Sequence, residues 1–221
     1  MIEENYKVKP KNYFSNVRLD LLNLTPKCNK RGNVLEIGAG SGDTLLYAKQ
    51  NGYAKKIYGV ELCELKNSFQ KSEEFEEFII GNIEQIKLPF EKNFFDVILC
   101  GDVLEHLVDP YNIVRKLRLI LKDDGVLIAS LPNIRQIQIL KQIFLEGDFK
   151  YTNAGILDKT HLRFFCKKNM LELFEKNGFE VVNIVSNIYL HGGKTSLFNK
   201  LTFGKFEEFL TTQYHLVSQK I

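Results

Sequence analysis

Short runs rich in Val, Ile and Phe alternate along this chain with longer stretches in which apolar residues recur every three or four positions. Residues 34–37, 56–61, 78–81 and 95–100 (FDVILC) are such runs, the form taken by buried strands. The stretches 43–51 and 110–121 carry helical spacing. Pro110 fits the first turn of a helix, where its missing N–H is no loss. Asp123-Asp124-Gly125 predicts a turn, and 125–130 a fifth strand that Pro132 ends. A helix over 168–177 closes at Gly178, the residue type that commonly follows a helix end. Strands are expected over 179–186 and 214–218. Strands alternating with helices predict βαβ units.

Two stretches resist this reading. Between 133 and 165 aromatics mix with charges without a clear period, and a second irregular stretch precedes residue 214. No repeat, low-complexity linker or change of composition divides the chain, so a single domain is expected over 1–221. Its length of 221 residues suits one α/β domain and falls short of two. With 44% hydrophobic and 26% charged residues the composition is ordinary for a globular protein. The net charge of +3 gives no ground for a nucleic-acid partner, and Lys7, Lys9 and Lys11 read as a solvated arm. Cys28, Cys63, Cys100 and Cys166 form no CxxC pair, which offers no zinc or disulfide framework. The acidic start Met1-Ile-Glu-Glu-Asn5 is unlike a secretory leader, and no run reaches the ~20 apolar residues of a membrane span. The expectation is a cytoplasmic protein without a membrane partner; homodimerisation stays open.

The most informative segment is 34–42, VLEIGAGSG. A buried strand runs straight into a glycine loop and then a helix. Glycines permit the sharp turn and let a ligand approach the backbone, while exposed N–H groups and a helix N-terminus favour polar or anionic atoms. The residues alone imply a nucleotide-like cofactor after the first strand. A dinucleotide fingerprint would place its third glycine three residues beyond the second, but position 43 is Asp43. The loop is Gly38, Gly40, Gly42, preceded by Glu36. This GxGxG segment resembles motif I of the class I S-adenosylmethionine-dependent methyltransferases, whose loop wraps a methionine moiety.

Further positions agree with that resemblance. Glu61 closes the second strand about twenty residues on, where a carboxylate can accept both ribose hydroxyls. Asn82, after the third strand, stands where the family carries Asp or Asn for the adenine amino group. Residues 95–98 and the following DVLEH (102–106) resemble its fourth strand and the loop beyond, and 125–128 its fifth strand. The resemblance covers about 30–133 closely and the rest loosely. It implies a Rossmann-like α/β fold with seven strands, a mostly parallel sheet, an antiparallel final strand and helices on both faces. The cofactor it implies is S-adenosyl-L-methionine, leaving S-adenosyl-L-homocysteine as product. The implied contacts are Glu36, Gly38, Ala39, Gly40, Gly42, Glu61, Leu62, Asn82, Ile83, Asp102 and Val103.

The family moves a methyl group from sulfonium to a nucleophile by in-line displacement, and a hydroxyl acceptor gains from a positioned base. His106 follows Asp102 by four residues, so on a helical turn the two would share one face. The DVLEHL segment resembles that of small-molecule O-methyltransferases such as those of ubiquinone biosynthesis. His161 lies in 155–165, a segment resembling one in methyltransferases encoded with bacterial surface-polysaccharide genes. Both histidines are candidates for the base, and both have a structural alternative as packing or capping residues. His191 and His215 lack such context. The 133–165 stretch is where such enzymes face the acceptor. Its Tyr151, Lys159 and Arg163 suit a saccharide, phosphosugar or nucleotide-sugar, by stacking and charged hydrogen bonds, although a plain surface loop fits equally. No spacing suggests a metal, and a sulfonium needs no Lewis acid. The loop spacing counts against an NAD-dependent oxidoreductase. A nucleic-acid or protein methyltransferase and a non-catalytic binder of the cofactor remain alternatives.

Overall fold

Strands in the middle of an α/β sheet are covered on both faces and must be apolar on both. β1 (Gly32–Ile37) and β4 (Phe95–Gly101) meet this requirement. Leu35, Ile37, Ile98 and Cys100 face one buried cluster while Val34, Val97 and Leu99 face the other. The computed structural model describes residues 16–191 and 193–221, so Lys7, Lys9 and Lys11 lie outside the described residues, as does the His191 side chain.

Around this pair the sheet has seven strands in the order β3-β2-β1-β4-β5-β7-β6. β2 (Ala54–Glu61) and β3 (Glu77–Ile80) extend one side, and β5 (Leu121–Pro132), β6 (Phe179–Ser186) and β7 (Gln213–Lys220) the other. Pairings from β3 through β5 are parallel, and β7 runs antiparallel to both β5 and β6. The fold is thus the mostly parallel, Rossmann-like sheet with an antiparallel final strand. Because β2 and β4 lie on opposite sides of β1, strand order reverses there. Ligands of open α/β sheets bind beyond the carboxyl ends of the strands at such a switch.

After the short helix α1 (Leu19–Leu22), α2 (Asp43–Gln50) follows the glycine loop. α3 (Pro110–Ile120) begins with Pro110 in its first turn, and the Asp109 carboxylate accepts the Asn112 N–H at 3.0 Å, so proline and N-cap together fix its start. Its Ile113, Val114 and Leu117 are fully buried against the sheet. The turn expected at 123–125 is an irregularity inside β5 instead. Leu121 already pairs with Phe95, and the register slips before Val126 pairs with Val97. The irregular stretches contain helices that add little to the core: α4 (Ile137–Leu145) has no fully buried residue. α5 (Lys167–Glu175) packs Met170, Leu173 and Phe174 inward. α6 (Asn187–His191), α7 (Lys194–Leu201) and α8 (Glu207–Leu210) fill the second irregular stretch. No described helix is long and apolar enough to cross a membrane.

Candidate functional site

A cavity of about 910 Å³ opens at the carboxyl ends of β1, β2, β4 and β5, within the size range of small-ligand sites. Its first wall is the glycine loop. Gly38 and Gly40 adopt φ of 72° and 54°, a region open to glycine at little cost. A Cβ on Gly38 would also fall 2.4 Å from Cγ2 of Val103. The loop is clamped to β2: the Gly38 and Ala39 N–H groups donate to the Val60 carbonyl at 2.8 and 3.0 Å. Glu61 completes the clamp, its Oε2 accepting the Gly40 N–H at 2.8 Å and its Oε1 the Leu62 N–H at 2.7 Å. Gln70 holds the loop from the other side, donating to the Gly40 carbonyl at 2.8 Å. Gln70 is absent from the sequence reading, because it sits in a loop thirty residues away with no motif around it.

Glu36, Ala39, Leu62, Asn82, Ile83, Asp102 and Val103 line the same cavity as Gly38, Gly40 and Glu61. Gly42 is the exception among the expected contacts. It lies behind the wall as the residue before α2, at φ 93°, and a Cβ there would meet the Phe75 ring at 2.8 Å. Its role is the turn and the packing beneath it. Asn82 uses Oδ1 to accept the Glu84 N–H at 2.9 Å, which fixes the loop after β3.

The second feature is charge. Glu36 is buried, its Oε2 has no hydrogen-bond partner, and burial, reinforced by the Glu61 charge, pushes its carboxyl up to about 8 although Arg18 and the Thr44 hydroxyl oppose the shift. Arg18, missed in the sequence because it precedes the first recognisable element, enters from the start of α1. It bridges Asp102 at 2.7 Å and Asp20 at 2.8 Å and donates to Ser130 Oγ at 3.0 Å. Burial acts to lower the Arg18 pKa, but Asp102 and Asp20 outweigh it and hold the guanidinium charged. Asp20 in turn accepts from His215 Nε2 at 2.8 Å. Burial would raise the Asp20 carboxyl, yet the hydrogen bonds from His215 and Arg18 hold it well below the usual carboxylate range. Among the described residues Arg18 is the one Lys or Arg on the cavity wall, facing Asp20, Glu36, Glu61, Asp102, Glu105 and Asp158. An acid-rich wall with an orphaned buried carboxylate oxygen fits a cofactor carrying a sulfonium and an ammonium.

The third wall joins the DVLEH segment to the 155–165 loop. Asp102 has a left-handed backbone at φ 55°, uncommon for a residue with a side chain. A single 3-10 turn follows, Leu104–His106. The expectation that Asp102 and His106 share a helical face is therefore corrected, since the segment is not an α-helix. Asp102 turns to Arg18, Ser130 and Gln213, while His106 Nδ1 meets the Thr160 carbonyl at 3.0 Å. The backbone carbonyl of Glu105 accepts from the Leu162 and Arg163 N–H groups at 2.8 and 2.9 Å, which ties the two loops together. His161 Nδ1 lies 2.9 Å from the Ile156 carbonyl, and its Nε2 lies 4.0 Å from Glu105 Oε1. The imidazole rings of His106 and His161 stack edge to face at 4.7 Å. Burial, aided by the His161 charge, pushes His106 down to about 4, so it is neutral at physiological pH. Burial and Asp102 push the Glu105 carboxyl well above its ordinary value.

The cations and ring chosen from the sequence as acceptor contacts lie elsewhere. Arg163 is exposed and donates to the Val108 carbonyl. Lys159 is exposed, and Tyr151 joins an outer aromatic cluster with Phe149 and Phe164. None of the three lines the cavity; Gly155, Ile156, Asp158 and His161 of that segment do. The reason is the turn at Asp158, whose carboxylate accepts the Thr160 N–H at 2.9 Å and hydroxyl at 2.7 Å. It aims His161 inward and its neighbours outward. Glu105, His106 and His161 also place one ligand atom each within 4.8 Å of one another, although no metal spacing stands out in the sequence. A 105/106/161 spacing gives no hint of this in the sequence.

Comparison with known proteins bears on this geometry. The profile of a family described as "Methyltransferase domain" matches residues 11–184. "Uncharacterized methyltransferase YcgJ" of Bacillus subtilis is 35% identical over 113 residues, which span 48% of this chain and 43% of that protein. "Demethylmenaquinone methyltransferase" of Listeria monocytogenes is 27% identical over 183 residues, 73% of this chain and 75% of that one. Among solved structures, a "SAM dependent methyltransferase" of Archaeoglobus fulgidus shares the fold at a TM-score of 0.64 and 17% identity, covering 99% of this chain and 98% of that one. With its sheet, its glycine loop and this profile match over most of its length, the chain belongs to the class I methyltransferase family, whose cofactor is S-adenosylmethionine.

Proposed function

We propose that this chain methylates a hydroxyl of a small, neutral, saccharide-type acceptor. One observation carries the reading: a single cavity joins the glycine loop and Glu61 on one side to the Glu105–His106–His161 trio on the other. S-adenosylmethionine, when bound, supplies an activated methyl group on its sulfonium. Glu61 keeps unused lone pairs after its backbone bonds and can accept the ribose hydroxyls. Asn82 and Ile83 would flank the adenine, and Glu36 would pair with the cationic methionine moiety. Alignment and exclusion of water then do most of the work. His106 and His161 have their Nδ1 atoms on carbonyl oxygens, which can only accept. Both Nδ1 atoms therefore carry the proton, and the lone pairs lie on Nε2. The acceptor hydroxyl is held at this trio and gives up its proton there.

The choice of acceptor follows from charge. Arg18, the one cation on the described wall, is already paired with Asp20 and Asp102, which leaves no free cation for a phosphate. The carboxyl groups of Glu105 and Asp158 offer hydrogen-bond partners to the hydroxyls of a neutral sugar ring. The Listeria relative, by its name, also acts on a small molecule, and an acidic cavity is a poor host for a nucleic-acid backbone. The test is incubation with S-adenosylmethionine and paired pools of neutral and phosphorylated saccharides, read by mass spectrometry. One added CH₂ on neutral members supports the reading. Methylation confined to phosphorylated members overturns the charge argument.

A further inference from the structure

We propose that Glu105, His106 and His161 bind a divalent transition-metal ion of the Zn²⁺ class, which holds the acceptor oxygen opposite the methyl donor. Each imidazole is set up as a metal ligand is. Its Nδ1–H is directed to a backbone carbonyl, Thr160 for His106 at 3.0 Å and Ile156 for His161 at 2.9 Å. That bond fixes the ring and leaves the Nε2 lone pair for the ion, the arrangement that orients metal-binding histidines generally. The third ligand is the Glu105 carboxylate, 1% exposed, with Oε1 4.0 Å from His161 Nε2 and an Oε2 that has no hydrogen-bond partner. The three ligand atoms lie within 4.8 Å of one another. Bonds of about 2.0–2.2 Å to a tetrahedral ion require closer approach, which amounts to about 1 Å of side-chain rotation. The backbone that would resist larger movement is already tied, because the Glu105 carbonyl accepts two N–H groups of the 155–165 loop.

Two imidazoles and one carboxylate select a borderline cation over Mg²⁺ or Ca²⁺, which prefer all-oxygen sets. Three protein ligands leave coordination open toward the cavity that all three residues line, as catalytic sites do. The inference rests on the methyl-transfer reading for its chemistry. With both Nε2 lone pairs on the ion, the imidazoles no longer take the proton as they would in the metal-free trio. The acceptor hydroxyl binds the ion, which makes it more acidic, and its proton goes to solvent instead. Its oxygen lone pair forms the new O–CH₃ bond as the C–S bond breaks, with that electron pair staying on sulfur. An acceptor with adjacent hydroxyls gains most, because both oxygens can reach the open positions.

The experiment uses the full chain without an affinity tag, stripped with a chelator and titrated with Co²⁺ alone. The expected result is one equivalent bound with visible d–d absorption and no thiolate charge-transfer band, the latter excluding Cys63 and Cys166 as ligands. Glu105→Gln should weaken Co²⁺ by at least ~10²-fold. His161→Asn should do the same, and its amide N–H can still serve the Ile156 carbonyl, so the loop keeps its anchor. Both variants should bind S-adenosylhomocysteine as the parent does. Absence of the visible bands, or Co²⁺ affinity unchanged in both variants, overturns the metal and leaves a proton-sharing cluster. Failure of the parent to bind S-adenosylhomocysteine overturns the methyl-transfer reading separately, whatever the Co²⁺ result.

Discussion

Glu36 makes the sharpest prediction because its environment has a measurable consequence. Its carboxyl is fully buried and stands at about 8, against an ordinary value near 4.5. At pH 6 about 1% of it is ionised and at pH 7 about 10%, each tenfold step corresponding to about 1.4 kcal/mol. If the cationic methionine moiety pairs with the ionised form, affinity for S-adenosylhomocysteine should tighten about tenfold between pH 6 and pH 7, with nearly one proton released per molecule bound at pH 6. That window lies below the titration of the ligand's own α-amino group, near 7.7–8.0, so the ammonium stays charged throughout. Calorimetry in two buffers of different ionisation enthalpy reads both quantities. Glu61 and Glu105 are also raised, so the comparison that assigns the slope is Glu36→Gln, in which it should vanish. A parent protein with equal affinity at both pH values, or a Gln variant with the parent's slope, refutes the pairing. The stability sign is the reverse of that for an ion-paired acid. With the folded pKa raised, the contribution of Glu36 is fully present below 4.5 and is lost as pH rises through 8.

Four other outcomes follow from the geometry. Gly38→Ala places a methyl 2.4 Å from Val103 at a φ of 72° and should weaken cofactor binding at least ~10-fold while lowering the melting temperature; unchanged affinity would mean that Val103 simply moves aside. Asp102→Ala should be less stable than Asp102→Asn by ~1 kcal/mol in denaturant titrations, because Asn tolerates the left-handed backbone and Ala does not; equal stability removes the strain argument. His161→Asn should cut turnover ~10²-fold or more with S-adenosylhomocysteine affinity intact, and full turnover in this variant excludes His161 from the chemistry. Arg163→Ala should leave the acceptor KM within about twofold, since its guanidinium faces the Val108 carbonyl outside the cavity; a tenfold rise would bring it back into the acceptor site.

The cofactor half was legible because its chemistry is local in sequence. A strand, a loop of spaced glycines and a helix occupy consecutive residues, and Glu61 and Asn82 fall at strand ends that the apolar runs mark. Period-2 and period-3.6 patterns exist there because each element buries a face. The pattern failed at α4, which has no fully buried residue, and from 187 to 210, where helices are short and lie at the edge. Arg18 was invisible for another reason: its partners Asp102 and Ser130 are 84 and 112 residues away, and only the sheet brings them together. Composition misled at 151–163. Cations and aromatics are abundant in that loop, but the Asp158 turn decides which of them faces in, and a turn's direction is not a property of composition.

The same backbone device connects the two sides of the cavity. Asp102 leaves β4 in a left-handed conformation, fixed by Arg18, Ser130 and Gln213. That reversal brings Val103 down on Gly38 and starts the turn that presents Glu105 and His106. A right-handed residue at 102 would carry the chain on past the loop, separating Val103 from Gly38 and the trio from the glycine loop. Glycine at 38 and a strained aspartate at 102 are therefore two halves of one fitting. The first removes the Cβ that would block Val103, and the second turns Val103 toward the space so opened. Both walls of the cavity thus depend on a six-residue segment, 101–106, and on the buried charges that hold it.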